Sequence, residues 1–456
     1  MSVSSGVASL AARVDADGAG REMHRFVEEL YPICRSITGE GLRATLRAIA
    51  RRIPVTIREV PSGTRVLDWI VPDEWNVEDA YVLGPDGSRV IDFRRHNLHL
   101  VNYSEPVAAR LPLAELKKRL FTLPDHPRWI PYRTSYYDRT WGFCLSQEDL
   151  DVLPDGDYEA VVRSSLAPGS LTYGELLLPG ETEDEVLLST HCCHPSLAND
   201  NLSGIALSTA LAELLAGVRR RYSYRFLFAP GTIGAIAWLA ANEAAVARVR
   251  HGLVVACVGD AGPMQYKKSR RGDAEIDRAA THVLAHAGRE HRILDFTPYG
   301  YDERQYGSPG FDLPVGSLTR TPHGKFPEYH TSADDPGFVR PEALAESLRV
   351  YLDVLSVLEE NRTLRNTSPK GEPQLGRRGL YRAIGGLPDP GAHALAMLWV
   401  LNLSDGRHDL LAIAERSGLA FAQIAAAAGK LVESGLLAPA AADSAPAAAV
   451  KSRDTQ

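Results

Sequence analysis

The stretch Ser189–Gly204, "STHCCHPSLANDNLSG", packs two His, two Cys, one Asp, two Asn and three Ser into sixteen residues. It follows "DEVLL", an apolar run of buried-strand type, and precedes "IALSTALAELLAGV", which reads as a helix. A polar cluster between a strand and a helix is where an open α/β sheet builds its sites, beyond the carboxyl ends of strands. The neighbouring runs "GELLLPG", "YRFLFAP" and "HGLVVACVGD" are also short and continuously apolar. Strands alternating with helices predict a mostly parallel α/β sheet with helices on both faces.

The rest of the chain is ordered around this unit. Residues 1–20 are small and polar and are expected to be disordered, while Arg21–Ile53 carries two amphipathic helical patterns split by "RSITGEG". Residues 61–165 gain Trp, Tyr and Pro and short strand-like runs, which predicts an inserted β-rich subdomain between 21–60 and 166–362 of the α/β domain. Residues 363–379 read as a linker and 380–437 as three helices of a winged-helix-like module, with 438–456 an unstructured tail.

Composition excludes several classes. The chain has 456 residues, 45% hydrophobic, 23% charged, with a formal net charge of −7, which gives no reason to expect nucleic acid or an anionic membrane. No apolar run reaches the roughly 18–20 residues of a membrane span, and the first twenty residues fail as a secretory signal. Five cysteines are too few for a disulfide framework, so a reduced cytoplasmic protein is expected. The last helix of the C-terminal module offers only Lys430 as a cation. That is too little to neutralise several phosphates, so a protein partner or a second copy is the expectation for this module.

At the strand ends stand His191, His194, Asp200 and Asp260, and much later His330 in "FPEYHTSADD". Imidazole and carboxylate are the ligands of a borderline ion such as zinc. Each residue alone has an ordinary explanation, as a loop histidine, an N-cap or turn chemistry. Spacing by itself leaves ligand and loop residue open.

From about 165 to 360 the chain resembles the zinc aminopeptidases. "LANDNLSG" is similar to that family's turn carrying the Asp that bridges two zincs. The resemblance implies metal ligands at His191, Asp200, Asp260 and His330, and Tyr329 near the developing oxyanion. "HCCHPSLANDNLSG", "DERQYGSPGFDLP" and "FPEYHTS" further resemble a bacterial aminopeptidase-like subfamily with an inserted β domain and a C-terminal winged helix, often found with polysaccharide or natural-product biosynthesis. The family's Glu-Glu pair, general base and second-zinc ligand, is replaced by Pro230-Gly231 in "FAPGTIGAIAWL". The resemblance therefore implies one Zn2+ rather than two, with Glu303 or Asp302 of "YDERQY" as substitute base. Arg304 is expected to hold a substrate carboxylate, with His194 an alternative ligand or substrate-facing. Arg133 and Tyr136 of "RWIPYRTSYYDRTWGF" are expected in a cleft wall. The implied activity is hydrolysis of an amide in a small aminoacyl or amino-sugar metabolite. A catalytically silent or non-hydrolytic member, a cyclase, transferase or scaffold, stays open because of Pro230-Gly231.

Overall fold

The computed structural model describes residues 6–380 and 390–440. Two compact units divide the chain near Glu360, one of them Ser5–Glu359 and the other starting at Glu360.

The first unit is built on an eight-stranded sheet. Its order is Thr56–Pro61, Ser170–Leu178, Ser223–Ala229, Glu185–His191, Val249–Val255, Val315–Thr319, Met264–Lys267 and His291–Leu294. The four central strands, from 223–229 to 315–319, run parallel, and antiparallel pairs flank them. Every residue of Glu185–His191 and of Ser223–Ala229 is buried. Alternate side chains leave opposite faces, so both faces of these strands are covered. Gly204–Ala216 and Ile233–Ala241 are apolar nearly all round and supply much of that cover.

Two further helices, Ala16–Leu30 and Glu40–Ala50, match the two amphipathic patterns. The expected disorder of residues 1–20 is corrected from Gly6 onward, since Gly6–Ala11 and Ala16–Leu30 are helical. Val7, Ala16 and Gly20 are buried there, and a Cβ on Gly20 would meet the Pro341 carbonyl at 2.3 Å. Small residues thus allow close approach of helices, a property that composition also gives to disordered segments.

The insertion contains a four-stranded antiparallel sheet, ordered Arg89–Asp92, Glu74–Leu83, Asp157–Ala167, Val107–Pro112. Its segment 128–143 has little regular structure and reaches the main unit, where the Tyr132 amide donates to the His330 carbonyl at 2.8 Å.

In the second unit, helices Pro390–Leu403, Leu410–Ser417 and Phe421–Glu433 accompany a three-stranded sheet of Asp405–Asp409, Thr363–Asn366 and Leu437–Pro439. The expected linker at 363–379 is corrected at its start. Thr363–Asn366 is the middle strand, because Leu364 is buried and pairs opposite Pro439. Residues 381–389 of the expected helical module, and the tail from 441, lie outside the described residues. Among the described residues no helix is long and apolar enough to cross a membrane.

Candidate metal centre

The strand Glu185–His191 delivers His191 to its carboxyl end, and the turn Ala198–Ser203 delivers Asp200 just before the helix Gly204–Ala216. Side-chain amides hold this turn. Asn201 Nδ2 donates to Thr190 Oγ1 at 2.9 Å and to the Val255 carbonyl at 3.2 Å, and its Oδ1 accepts from the Cys257 amide at 3.2 Å. Asn199 Oδ1 accepts from the Gly259 amide at 2.9 Å, and Ser203 Oγ accepts from the Val258 amide at 3.1 Å. The polar residues of "ANDNLS" thus satisfy backbone groups at the ends of two adjacent strands, which buried amides require. Asp334 completes the frame, its carboxylate accepting from the Asn199 and Asp200 amides at 2.5 and 3.0 Å.

Three imidazoles converge on the Asp200 carboxylate. His191 Nε2 lies 2.7 Å from Oδ1, His194 Nδ1 3.2 Å from Oδ2, and His330 Nε2 3.0 Å from Oδ2. The rings of His191 and His330 each stand 5.0 Å from that of His194. Burial lowers the His191 pKa to about 4 and also lowers that of His330, so both are neutral near pH 7. Burial opposes ionisation of Asp200, but His194 and His191 outweigh it and hold the carboxyl well below its ordinary range. Neutral His191 and His330 beside an ionised Asp200 match the protonation state that a metal centre requires. Edges of a tetrahedron of zinc ligands measure about 3.3 Å for bonds of about 2.0–2.1 Å, close to the spacings found here. His191, His194 and Asp200 also form a compact buried group of ligand atoms, all within 4.8 Å of one another. The residues present fit a divalent ion.

The structure redistributes the expected roles. His194, expected as substrate-facing or as an alternative to His191, stands in the cluster beside it. Its backbone carbonyl accepts from the buried Arg35 Nε at 2.8 Å. Asp260 is a correction. Its Oδ1 accepts from Thr321 Oγ1 and the Gly262 amide, both at 2.7 Å, and its Oδ2 from Asn199 Nδ2 at 3.0 Å. The strand ends at Val255, and Cys257, in a left-handed conformation at φ 49°, turns its Sγ to 4.0 Å from Asp200 Oδ1. Asp260 is absent from the compact group of ligand atoms around Asp200, and its hydrogen bonds instead fix the loop at Thr321.

The expected substitute bases are corrected too. Glu303 is buried, paired with Lys267, and accepts from the Tyr301 amide at 3.0 Å. Asp302 is fully buried with neither oxygen hydrogen-bonded, and burial raises its pKa well above the carboxylate range. One is spent and the other neutral. Arg304 is half-buried, and its Nη1 donates to the Gly300 carbonyl at 3.1 Å. Arg133 is exposed, with its guanidinium over the Phe121 ring at 4.6 Å. Tyr136 lies beside the site, its hydroxyl 2.9 Å from that of Tyr132.

Tyr132 is the insertion's own contribution, its ring 5.3 Å from His194 and 5.0 Å from His330. Sequence reasoning missed it among its aromatic neighbours. Tyr329 stacks on His330, centroids 3.9 Å apart, and its hydroxyl has no hydrogen bond among the described residues. Burial raises its pKa, so it is a donor. His323, also missed, has its ring 6.4 Å from that of Tyr329 and lines a cavity of about 430 Å³ with Tyr299, Thr321, Lys267 and Lys325. Its "TPHG" context carries no signal beyond a turn.

Comparison with known proteins agrees with this architecture. Residues 24–361 match the family described as "Domain of unknown function (DUF4910)", and residues 362–439 match a winged helix-turn-helix. A curated Clostridium acetobutylicum protein named "Putative polysaccharide biosynthesis protein with aminopeptidase-like domain" is 53% identical over 92% of this chain and 96% of its own. The crystal structure of a "putative peptidase" from the same organism superposes with a TM-score of 0.89 at 50% identity, covering 93% of this chain and 97% of the other. A zinc aminopeptidase from Bacillus subtilis superposes with a TM-score of 0.53 at 13% identity, covering 74% and 94%, a likeness of fold. The chain therefore belongs to this bacterial aminopeptidase-like family, which joins a zinc-aminopeptidase fold to a C-terminal winged helix.

Proposed function

We propose that the chain is a zinc-dependent amide-bond hydrolase acting on a small aminoacyl or amino-sugar metabolite in a biosynthetic route. The observation that carries this is the convergence of His191, His194 and His330 on the two oxygens of Asp200, at 2.7–3.2 Å. These four residues would hold the ion. The chemistry such an ion supplies when bound is Lewis-acid polarisation of an amide carbonyl and acidification of water. A cavity of about 430 Å³, lined by His323, Tyr299 and Thr321 and by none of these four residues, is of a size for a small metabolite rather than a folded protein.

The chain's own residues supply the rest. The free Tyr329 hydroxyl donates to the oxygen on which charge develops. His323, held neutral by burial and without a hydrogen bond among the described residues, accepts the proton of the attacking nucleophile. Tyr132 closes the flank formed by the insertion and keeps water from His194 and His330. The name of the Clostridium relative supports a biosynthetic setting. All five cysteines are free, which favours a reduced compartment, the cytoplasm. The C-terminal unit serves a protein partner or self-association.

Metal analysis of protein purified without an affinity tag tests this. About one equivalent of zinc is expected, and His191→Ala or Asp200→Ala should abolish it. Less than about half an equivalent, unchanged by either substitution, would sink the enzyme.

A further inference from the structure

Beyond the strand Ser223–Ala229 the chain turns through Pro230-Gly231-Thr232 into the helix Ile233–Ala241. Gly231 faces Tyr301. A Cβ built on Gly231 would stand 2.0 Å from Tyr301 Cε1 and 2.5 Å from both Cζ and Oη. No real Cβ makes such contacts, so the phenol fills the volume that any side chain at 231 would enter.

The ring has little freedom to withdraw. It lies against His191 with centroids 4.0 Å apart, and its hydroxyl is 3.7 Å from Cys193 Sγ, itself 3.9 Å from the Gly231 carbonyl. Its backbone is pinned, because the Tyr301 amide donates to both oxygens of Glu303, at 3.1 and 3.0 Å. Glu303 is in turn paired with Lys267. Tyr301 thus stands directly over one of the four ligand side chains, in the place from which residue 231 would address the centre.

The donor count points the same way. His191, His194 and Asp200 form one group of ligand atoms, and His330 adjoins it at 3.0 Å from Asp200 Oδ2, at most the four donors of one four-coordinate ion. Among the described residues the group around Asp200 is the one cluster of three or more metal-binding side chains. A second ion sharing Asp200 would need further donors. The 231 flank, which could supply one, holds a phenol against His191 instead.

We propose that Gly231 and Tyr301 together limit this centre to a single metal ion: residue 231 brings no donor, and Tyr301 occupies the space that a side chain there would need. This rests on the metal-centre function proposed above. The pair also sets what the centre presents on this flank. A phenol can donate a hydrogen bond there, where a carboxylate would accept one or bind a cation. Tyr301 thus fills the flank beside His191 that a residue-231 side chain would otherwise enter.

The experiment compares wild type, Gly231→Glu, Tyr301→Ser and the double variant, as full-length untagged chains loaded with zinc alone. Bound zinc and Tm are both measured. Wild type and Tyr301→Ser are expected to hold about one equivalent. Gly231→Glu alone should lower Tm by several degrees without gaining metal, because the new side chain must displace the phenol. The double variant should regain most of that loss and take up a second equivalent, a non-additivity that only a shared volume produces. A double variant no more stable than Gly231→Glu overturns the inference. So does a Gly231→Glu protein with wild-type Tm and two equivalents. A refolded double variant that still binds one equivalent overturns the metal-count inference alone. Absence of zinc from all four proteins overturns the metal-centre function and this inference together.

Discussion

His194 and Asp260 show how much one residue's position matters. Both stand at strand or loop ends, yet one lies 3.2 Å from Asp200 Oδ2, while the other's oxygens are taken by Thr321, Gly262 and Asn199. His194→Ala should therefore abolish zinc binding as Asp200→Ala does. Asp260→Asn should keep about one equivalent of zinc while losing on the order of 1–3 kcal/mol of stability, from the disturbed hydrogen bonds of a buried group. Loss of zinc from Asp260→Asn would return that residue to the ligand set. His323→Ala should retain zinc and reduce turnover of the natural amide substrate by roughly 10²–10⁴-fold, the share of a general base. Steady-state kinetics beside metal analysis separate the two effects.

Single elements carry the frame that makes the cluster possible. The helix Gly204–Ala216 must start hard against the strand end, and a Cβ on Gly204 would lie 2.4 Å from Asn201 Oδ1 and 2.5 Å from the Val255 carbonyl. Gly204→Ala is expected to cost about 1–3 kcal/mol, the range for overpacking, and to weaken zinc binding through the displaced Asn201. A Tm change of less than a degree would contradict it. On the far side of the unit, Arg43 on the helix Glu40–Ala50 ties Glu74 to the edge of the main sheet. Hydrogen bonds from Arg43, opposed by burial and aided by the Ser170 amide and Asn76, lower the Glu74 pKa from 4.5 to about 2. The folded pKa lies below the unfolded one, so this stabilisation is full above about pH 4.5 and fades as pH falls toward 2. Glu74 is partly solvated, so its size is on the order of 1 kcal/mol. The Tm gap between wild type and Glu74→Gln should shrink from pH 6 to pH 3.5, and a gap that widens on acidification would be the wrong sign.

For the whole molecule, the centre joins segments distant in the chain: His191, His194 and Asp200 from one strand–turn, His330 from a later loop and Tyr132 from the insertion. Zinc that binds only the folded chain should then stabilise it globally, by about 4 kcal/mol at a thousand times its dissociation constant. Chelation should lower Tm in wild type and leave Asp200→Ala unchanged. With a net charge of −7 and Lys430 the one Lys or Arg of the helix Phe421–Glu433, the chain should leave duplex DNA unshifted in low salt. A salt-sensitive complex would overturn the expected partner class.

The alternation of buried strands with helices was legible without coordinates, because a strand covered on both faces reads as an unbroken apolar run such as "EVLLSTH". Residue type also marked "HCCHPSLANDNLSG" as a stretch able to offer ligands, while its likeness to the zinc aminopeptidase turn, not its spacing, singled out His191 and Asp200. The sequence by itself also determined that residue 231 brings no carboxylate. Only the tertiary structure decided which candidates meet. Asp260 falls away because one left-handed residue, Cys257, redirects the chain after the strand. Glu303 is spent on Lys267, a partner 36 residues earlier, and Tyr301 fills the gap at Gly231 from 70 residues away. Residue type states which chemistry a side chain can perform; long-range packing decides which groups share a volume, and so which of them perform it.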